Sequence, residues 1–528
     1  MQINWIHRED QSGEKLVQYF EENWESVNCG ELELYGEKYM NIIASKDQTT
    51  KFTCTINDYR GLRNCQHSEN IRDILQVNGI QWQKSEGEIA NRSYEVLVYD
   101  QKTISIKQTI IGRSTPSSKY LSEQQCEKIA ALAKRMVYLL GLDFAMVNII
   151  VTGRQKVRVE HINPSPDLRE KDLLKLLQVM EGILSKRLKD QNAEVVMGAD
   201  PEFMMVNTRS GKMIPASNFF PREGLVGCDN IRVPSRQQRP VAEVRPKPEM
   251  SPLDLSANIK QALLYAGKMV PYKNVKWIAG SQPFSGLSIG GHIHFSKISL
   301  NNALLRALDN YVTIPLFLIE NQDSAVKRRK RYGTLADFRT KDYGGFEYRT
   351  PGSWLVSPEI TRAVLCLAKV VSTHYNQLGK NIFLRSEAQV AFYNGDQIYF
   401  SSVFEALWKD IMELPTYEMY REELRLVPEM IREKSQWDEK SDIRKAWNIP
   451  LKSSKTYRGR IHDNNTSHTN NSGEVRERTV NRPTSARTRP STVTHQTAGR
   501  SPSRTSANQN RYAGSMRQAN SFSVSFRH

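Results

Sequence analysis

Four stretches of this chain place charged or metal-binding side chains two residues apart in otherwise apolar text. They are Asp200 and Glu202 in "GADPEFMMV", Glu243 and Arg245 in "PVAEVRP", His292 and His294 in "GGHIHF", and Glu347 and Arg349 in "GGFEYRTP". In a strand, residues i and i+2 share a face. Burying such a pair is costly unless it is partnered or holds a cation. Four pairs between residues 200 and 349 are therefore expected to converge on one polar cleft. Carboxylates with an imidazole suit Mg²⁺ or Mn²⁺, and arginines beside them suit phosphate or carboxylate. The run "KRRKRYG", Lys327–Gly333, and then Arg339 add further positive charge. A carboxylate-held cation with convergent arginines is the machinery of phosphoryl transfer from a nucleotide. Each pair alone has a plainer reading. His-x-His is commonly a rim or core pair, a Lys/Arg run a solvated face, and Glu-x-Arg a cross-strand ion pair worth under about 1 kcal/mol. The set in this order carries the argument.

The elements that must position these residues are legible in part. In the first 190 residues, "SYEVLVYD" (Ser93–Asp100) and "TISIKQTII" read as paired strands. A helix follows in "SEQQCEKIAALAKRMVYLLG", with Ser122 as N-cap, Gln125 closing a capping box and Gly141 ending it. "FAMVNIIV" and "KVRVEHI" predict two more strands, and a second amphipathic helix runs to about Arg187. This pattern predicts an α/β unit over residues 1–190. The polar stretch "KDQNAE" marks the expected boundary. From 195 to 410 strands with polar pairs alternate with helices such as "SPLDLSANIKQALLYAGKMV". Residues 411–450 read as a helical extension.

Composition sets the frame. A chain of 528 residues is too long for one ordinary core, and 39% hydrophobic residues allow a sizeable buried interior. No run approaches the roughly 18 apolar residues of a membrane span, and the start is polar without a signal-like stretch. The six cysteines form no CxxC pair, which argues against a disulfide framework and a cysteine-built zinc site. A soluble cytoplasmic protein is expected. Of the net charge of +17, residues 451–528 contribute +11, from fourteen basic and three acidic residues. This Ser/Thr/Arg-rich tail is expected to be disordered. It would serve either as a solubilising extension or as a salt-sensitive contact to a polyanion.

The order of the motifs adds a resemblance. "GADPEF", "IPAS", "GCDN", "AEVRP", "GGHIHF", "RYG" and "GFEYRTPGSW" together resemble the phage-type and bacterial amidoligases of the COOH–NH2 ligase group, whose catalytic domain is glutamine-synthetase-like. The resemblance covers residues from about 195 to 400. It implies an α+β fold in which an antiparallel sheet aims carboxylates at divalent cations that hold ATP. It also implies an ATP- and Mg²⁺-dependent ligase, possible with Mn²⁺, that phosphorylates a carboxylate so that an amine can attack the acyl phosphate. Carried over by position, Asp200, Glu202, Glu243, His292 and Glu347 match metal ligands, and His294 the nucleotide side. Arg349 fits a phosphate or substrate contact, with Arg331 and Arg339 as further phosphate clamps. Glutamine synthetase supplies two glutamates from its second ligand region. Here only Glu243 can be placed, with Asp229 as a further candidate. The segments that gate ammonia are not recognisable, so the expected amine is not ammonia.

The N-terminal unit resembles the end of an ATP-grasp domain in "AMVNIIVTGRQKVRVEHINPSPDL", where Asn163 and the prolines fit. The usual aspartate is Asn148 and the usual glutamate is His161, with Glu160 out of phase. Loss of two anionic ligands implies a degenerate domain that positions a substrate or partner. Small-molecule or peptide carboxylates and amines are the expected substrates, and a homo-oligomer is compatible with the resemblance. Two other readings remain: a kinase of the same fold group, and a non-catalytic scaffold acting through the tail and N-terminal unit.

Overall fold

Alternation builds the first sheet. In the strand Gln2–Arg8, Ile3 and Trp5 are fully buried while Gln2 and Asn4 stay half-exposed. In the computed structural model, residues 1–46, 52–83, 87–111, 116–153, 155–191, 193–232, 237–451 and 455–458 are described. Gln2–Arg8 lies inside a four-stranded sheet, between Glu37–Ser45 (antiparallel) and Thr53–Ile56 (parallel), with Ser26–Leu34 at the edge.

A second, five-stranded antiparallel sheet runs in the order Ser117–Tyr120, Lys102–Ile110, Ala90–Tyr99, Phe144–Thr152, Val157–Asn163. These are the strands expected from the sequence, with the addition of Ser117–Tyr120. The Ser122–Gln125 capping box is present, but it closes a 3₁₀ turn over Glu123–Gln125. The α-helix begins after it, at Glu127, and runs to Leu139. Gly141 then takes a positive φ of 80°, which glycine accepts without strain. The helix Glu170–Asp190 extends past Arg187 to the expected boundary.

The polar pairs lie on two further sheets. One has the order Val196–Ala199, Ile293–Ser296, Phe346–Tyr348, Phe338–Thr340, all antiparallel. The other has the order Met213–Ile214, Glu202–Asn207, Val241–Val244, Val226–Cys228, and Val275–Ile278 also pairs with Glu202–Asn207. "GADPEF" is thus not one strand. It breaks at Asp200–Pro201, because a proline has no N–H for the ladder. The break sends Val196–Ala199 into one sheet and Glu202–Asn207 into the other, so Asp200 sits at the elbow between them.

The helix Pro252–Met269, whose N-cap Ser251 accepts from the Asp254 amide, packs on these sheets, and Pro358–His374, whose N-cap Ser357 accepts from the Ile360 amide, packs against that helix. Helices Gln397–Met412, Arg421–Leu424, Leu426–Arg432 and Ile443–Ala446 follow. The architecture is α+β. The position expected for a domain boundary is bridged by Gln101–Asn302, Arg306–Asp143 and Arg187–Asn376 hydrogen bonds, and the described residues up to Tyr457 belong to one compact unit. No helix among the described residues is long and apolar enough to cross a membrane. The expected disordered tail lies outside the described residues from 459 onward.

Candidate active site

Register brings three of the predicted residues together. His294 stands opposite Glu347, which stands opposite Arg339 on its other side. On the far side His294 faces Gly198, where an added Cβ would lie 3.4 Å from the His294 Cβ. At the elbow the Asp200 amide donates to the His292 carbonyl at 3.3 Å, and the Glu202 amide to the Gly290 carbonyl at 3.0 Å. The glycines before His292 are required by space. A Cβ on Gly290 would lie 2.3 Å from His292 Nε2, and one on Gly291 2.5 Å from the Gly352 carbonyl oxygen.

The resulting cluster is short-ranged and buried. His292 Nδ1 lies 2.9 Å from Asp200 Oδ1 and 3.2 Å from Glu347 Oε1. His294 Nε2 lies 3.1 Å from Asp200 Oδ2. Three cations surround Glu347: Lys341 Nζ at 2.5 Å, Arg349 Nε at 3.2 Å and Arg339 Nη1 at 3.6 Å. Burial pushes the Asp200 carboxyl up, but His292 and His294 outweigh it and hold the group well below the usual range. Glu347 is likewise lowered against its burial, by His292, Arg339 and Lys341. Both are therefore carboxylates at neutral pH.

Glu202 and Glu243 form a second, adjoining group. They face each other across the strand pair, and Glu202 Oε2 accepts from the Gly290 amide at 2.6 Å. Burial, with Asp229 and Glu243 nearby, raises Glu202 well above its ordinary value. Burial and Asp200 push Glu243 up to about 8, against an ion pair with Arg245.

The donor set fits a divalent cation. One ligand atom each from Asp200, His294 and Glu347 lie within 4.8 Å of one another. Ion-pair distances here are short, yet Asp200 Oδ1, His292 Nδ1, His294 Nε2 and Glu347 Oε2 are buried without an aligned hydrogen-bond partner. Buried polar atoms in that state call for a ligand, and oxygen with imidazole nitrogen suits Mg²⁺ or Mn²⁺. His294, expected on the nucleotide side, stands within this three-residue group. Glu202 and Glu243 adjoin it rather than share it.

Arg339 and Arg349 flank Glu347 as expected. Arg331 does not join them: it is exposed and makes no side-chain ion pair among the described residues. The "KRRKRYG" run also departs from a simple source of positive charge. Arg328 is buried and donates to the carbonyls of Ile289, Arg349, Thr350 and Pro351, and Arg329 is buried against Glu320. Sequence reasoning missed Lys341, although Arg339 and Lys341 have the same two-residue spacing, leading into the "GG" turn opposite Glu347. It also gave Tyr332 no role, although Tyr332 is the central residue of the "RYG" motif quoted for the resemblance. In the N-terminal unit Asn148 faces His161 across the strand pair, and its Oδ1 is buried without a partner.

Residues 197–449 match the model of the family described as phage phiEco32-like COOH.NH2 ligase-type 2. The match covers just under half of the chain, and Asp200, His292, His294 and Glu347 all lie inside it. No curated protein matches the chain. Among solved structures, the ATP-grasp ligase PsnB in complex with its minimal precursor matches at 12% identity, TM-score 0.21, over 24% of this chain and 65% of that one. A bifunctional glutathione synthetase from Pasteurella multocida matches at 12% identity, TM-score 0.30, over 51% of this chain and 53% of that one. The macrocyclase MdnB from Microcystis aeruginosa MRC matches at 10% identity, TM-score 0.22, over 35% of this chain and 98% of that one. The chain therefore spans less than two thirds of the first two of these proteins.

Proposed function

We propose that the protein is an ATP- and Mg²⁺-dependent amidoligase, which joins a carboxylate to an amine through an acyl phosphate. The observation that carries this reading is the buried group Asp200, His294 and Glu347 with Lys341, Arg339 and Arg349 around it. Asp200, His294 and Glu347, with His292 beside them, would hold the cation, and Glu202 and Glu243 would extend the ligand wall. The cation would supply charge neutralisation at the transferring phosphoryl group. Lys341, Arg339 and Arg349 lie where they can hold phosphate oxygens and stabilise charge as it develops. The acyl phosphate is the activated species, so no covalent protein nucleophile is needed. The amine nitrogen then forms the amide bond and phosphate leaves. The similarity of residues 197–449 to that family supports a carboxylate and an amine as the two partners; amino acids, peptides and polyamines are the pools to try.

The test is ADP release from Mg²⁺–ATP across pooled carboxylates and amines, for the natural chain and Glu347→Gln. The expected result is turnover that requires both a carboxylate and an amine and that falls at least 100-fold in the variant. Turnover without an amine would replace the ligase by a kinase. Absence of both turnover and calorimetric ATP binding would leave a binding protein.

A further inference from the structure

His292 does not stand alone on the face of the cluster. Its Nδ1 points at Asp200 and Glu347, while its Nε2 is in contact with the hydroxyl of Tyr332. The Tyr332 ring meets the imidazole edge-on, at 5.6 Å between centroids and 79° between planes. The guanidinium groups of Arg328 and Arg349 sit over the same ring, each 4.7 Å from its centroid. Arg328 is in turn fixed by the four carbonyls it holds. The phenol is therefore held by its own neighbours and not by the histidine alone. Gly290 leaves the room: a Cβ there would lie 2.3 Å from His292 Nε2 and 3.2 Å from the Tyr332 ring.

A neutral imidazole has one N–H and one lone pair, and the partner of one nitrogen decides what the other can do. Nδ1 lies 2.9 Å and 3.2 Å from two carboxylate oxygens without an aligned hydrogen bond to either. Neighbouring ligands of one cation stand at such separations, and the missing alignment argues against a donor and its acceptor. The N–H then belongs on Nε2, where the Tyr332 oxygen accepts it. Ligating histidines commonly have such a partner on the second nitrogen, and its loss typically weakens metal affinity 10–100-fold.

We propose that Tyr332 is a positioning residue: it accepts the Nε2–H of His292 and so keeps the Nδ1 lone pair of His292 aimed at the cation held by Asp200 and Glu347. This rests on the cation reading of the cluster, and the two can fail separately. Tyr332→Phe removes only the hydroxyl and leaves the ring between the two guanidinium groups. Mn²⁺ binding to the full chain, followed by electron paramagnetic resonance, reads the effect without substrate or turnover. The expected result is a 10–100-fold rise in Kd for Tyr332→Phe, with an unchanged circular dichroism spectrum. In a His292→Ala background the same substitution should change Kd less than twofold, since its target is gone. Gly290→Ala, which crowds the same contact, should weaken Mn²⁺ binding in the same direction. Natural affinity in Tyr332→Phe, or an undiminished effect in the His292→Ala background, would overturn the role of Tyr332 and leave the cation site standing. Absence of Mn²⁺ binding by the natural chain would overturn both.

Discussion

Glu347 is the residue on which the site turns. It is nearly inaccessible to solvent, has three cationic side chains against it and faces His292 across 3.2 Å. Removing Lys341 as Lys341→Gln leaves two guanidinium groups to hold Glu347 and deletes the donor nearest to it. On the ligase reading the KM for ATP should rise about tenfold, equivalent to about 1.4 kcal/mol; an unchanged KM would remove Lys341 from the phosphate site. Glu243 gives a prediction in pH. Its carboxyl is pushed up to about 8 by burial and by Asp200, so the folded cation-free chain keeps a proton that the unfolded chain gives up near 4.5. Stability of the cation-free protein should therefore fall as pH rises from about 4.5 to about 8. Glu202 is raised for similar reasons and acts in the same direction. Melting temperatures at pH 5.5 and pH 8 check this: the drop should be clear without Mn²⁺ and reduced with it. A cation-free melting temperature that rises over the interval would contradict the assignment of crowded carboxyls.

At the scale of elements, the ligand strands are short and are held by what crosses their ends. Ile293–Ser296 and Phe346–Tyr348 have four and three residues, too few for ladder hydrogen bonds alone to set their position. Arg328 binds the chain just before one ligand strand and just after the other, through the Ile289 carbonyl at 2.8 Å and the Arg349, Thr350 and Pro351 carbonyls at 3.0, 2.7 and 2.8 Å. Arg328→Met would strand buried carbonyls without donors. Such groups cost about 1–3 kcal/mol each when left unmade, so a loss of about 3 kcal/mol or more is expected in chemical denaturation. Arg328→Lys has donors for only part of the set and should fall between. A loss below about 1 kcal/mol for Arg328→Met would show that the strands are placed by other contacts.

At the scale of the molecule, the N-terminal unit is linked to the ligand strands through Asp309. Tyr138, from the helix Glu127–Leu139, donates to Asp309 Oδ2 at 2.8 Å, and Tyr348 donates to Asp309 Oδ1 at 2.5 Å. Tyr348 is the residue between Glu347 and Arg349. Burial pushes Asp309 up to about 6 despite these donors, and Asp309 opens a π-helical turn, Asp309–Thr313, an irregularity common near functional positions. Asp100 and Asp143 are satisfied in part by Asn302 and Arg306, which lie within residues 197–449. A fragment of residues 195–458 would leave the other half of these networks, and the apolar surface around them, facing water. It should fail to give a cooperative thermal transition, as read by circular dichroism and dye binding. A transition within a few degrees of the full chain would mean that the fragment stands by itself.

The strands of the second sheet, the capping box at Ser122 and Gln125, and the long helices were legible because alternation and 3.6-residue spacing are local properties. The four polar pairs were legible for the same reason, and with the motifs around them they resemble the COOH–NH2 ligases. Local pattern could not show that "GADPEF" bends at Pro201 and divides its two acids between sheets. It could not separate the buried Arg328 from the exposed Arg331, since burial within one short run depends on which carbonyls arrive from residues 289 and 349–351. Lys341 and Tyr332 likewise acquire their partners only through register and close approach. By itself the sequence determined which acidic, basic and imidazole side chains recur at two-residue spacing, because residue type and spacing are local properties. Tertiary structure decided which atoms meet, because distances of about 3 Å are set between segments far apart in the chain.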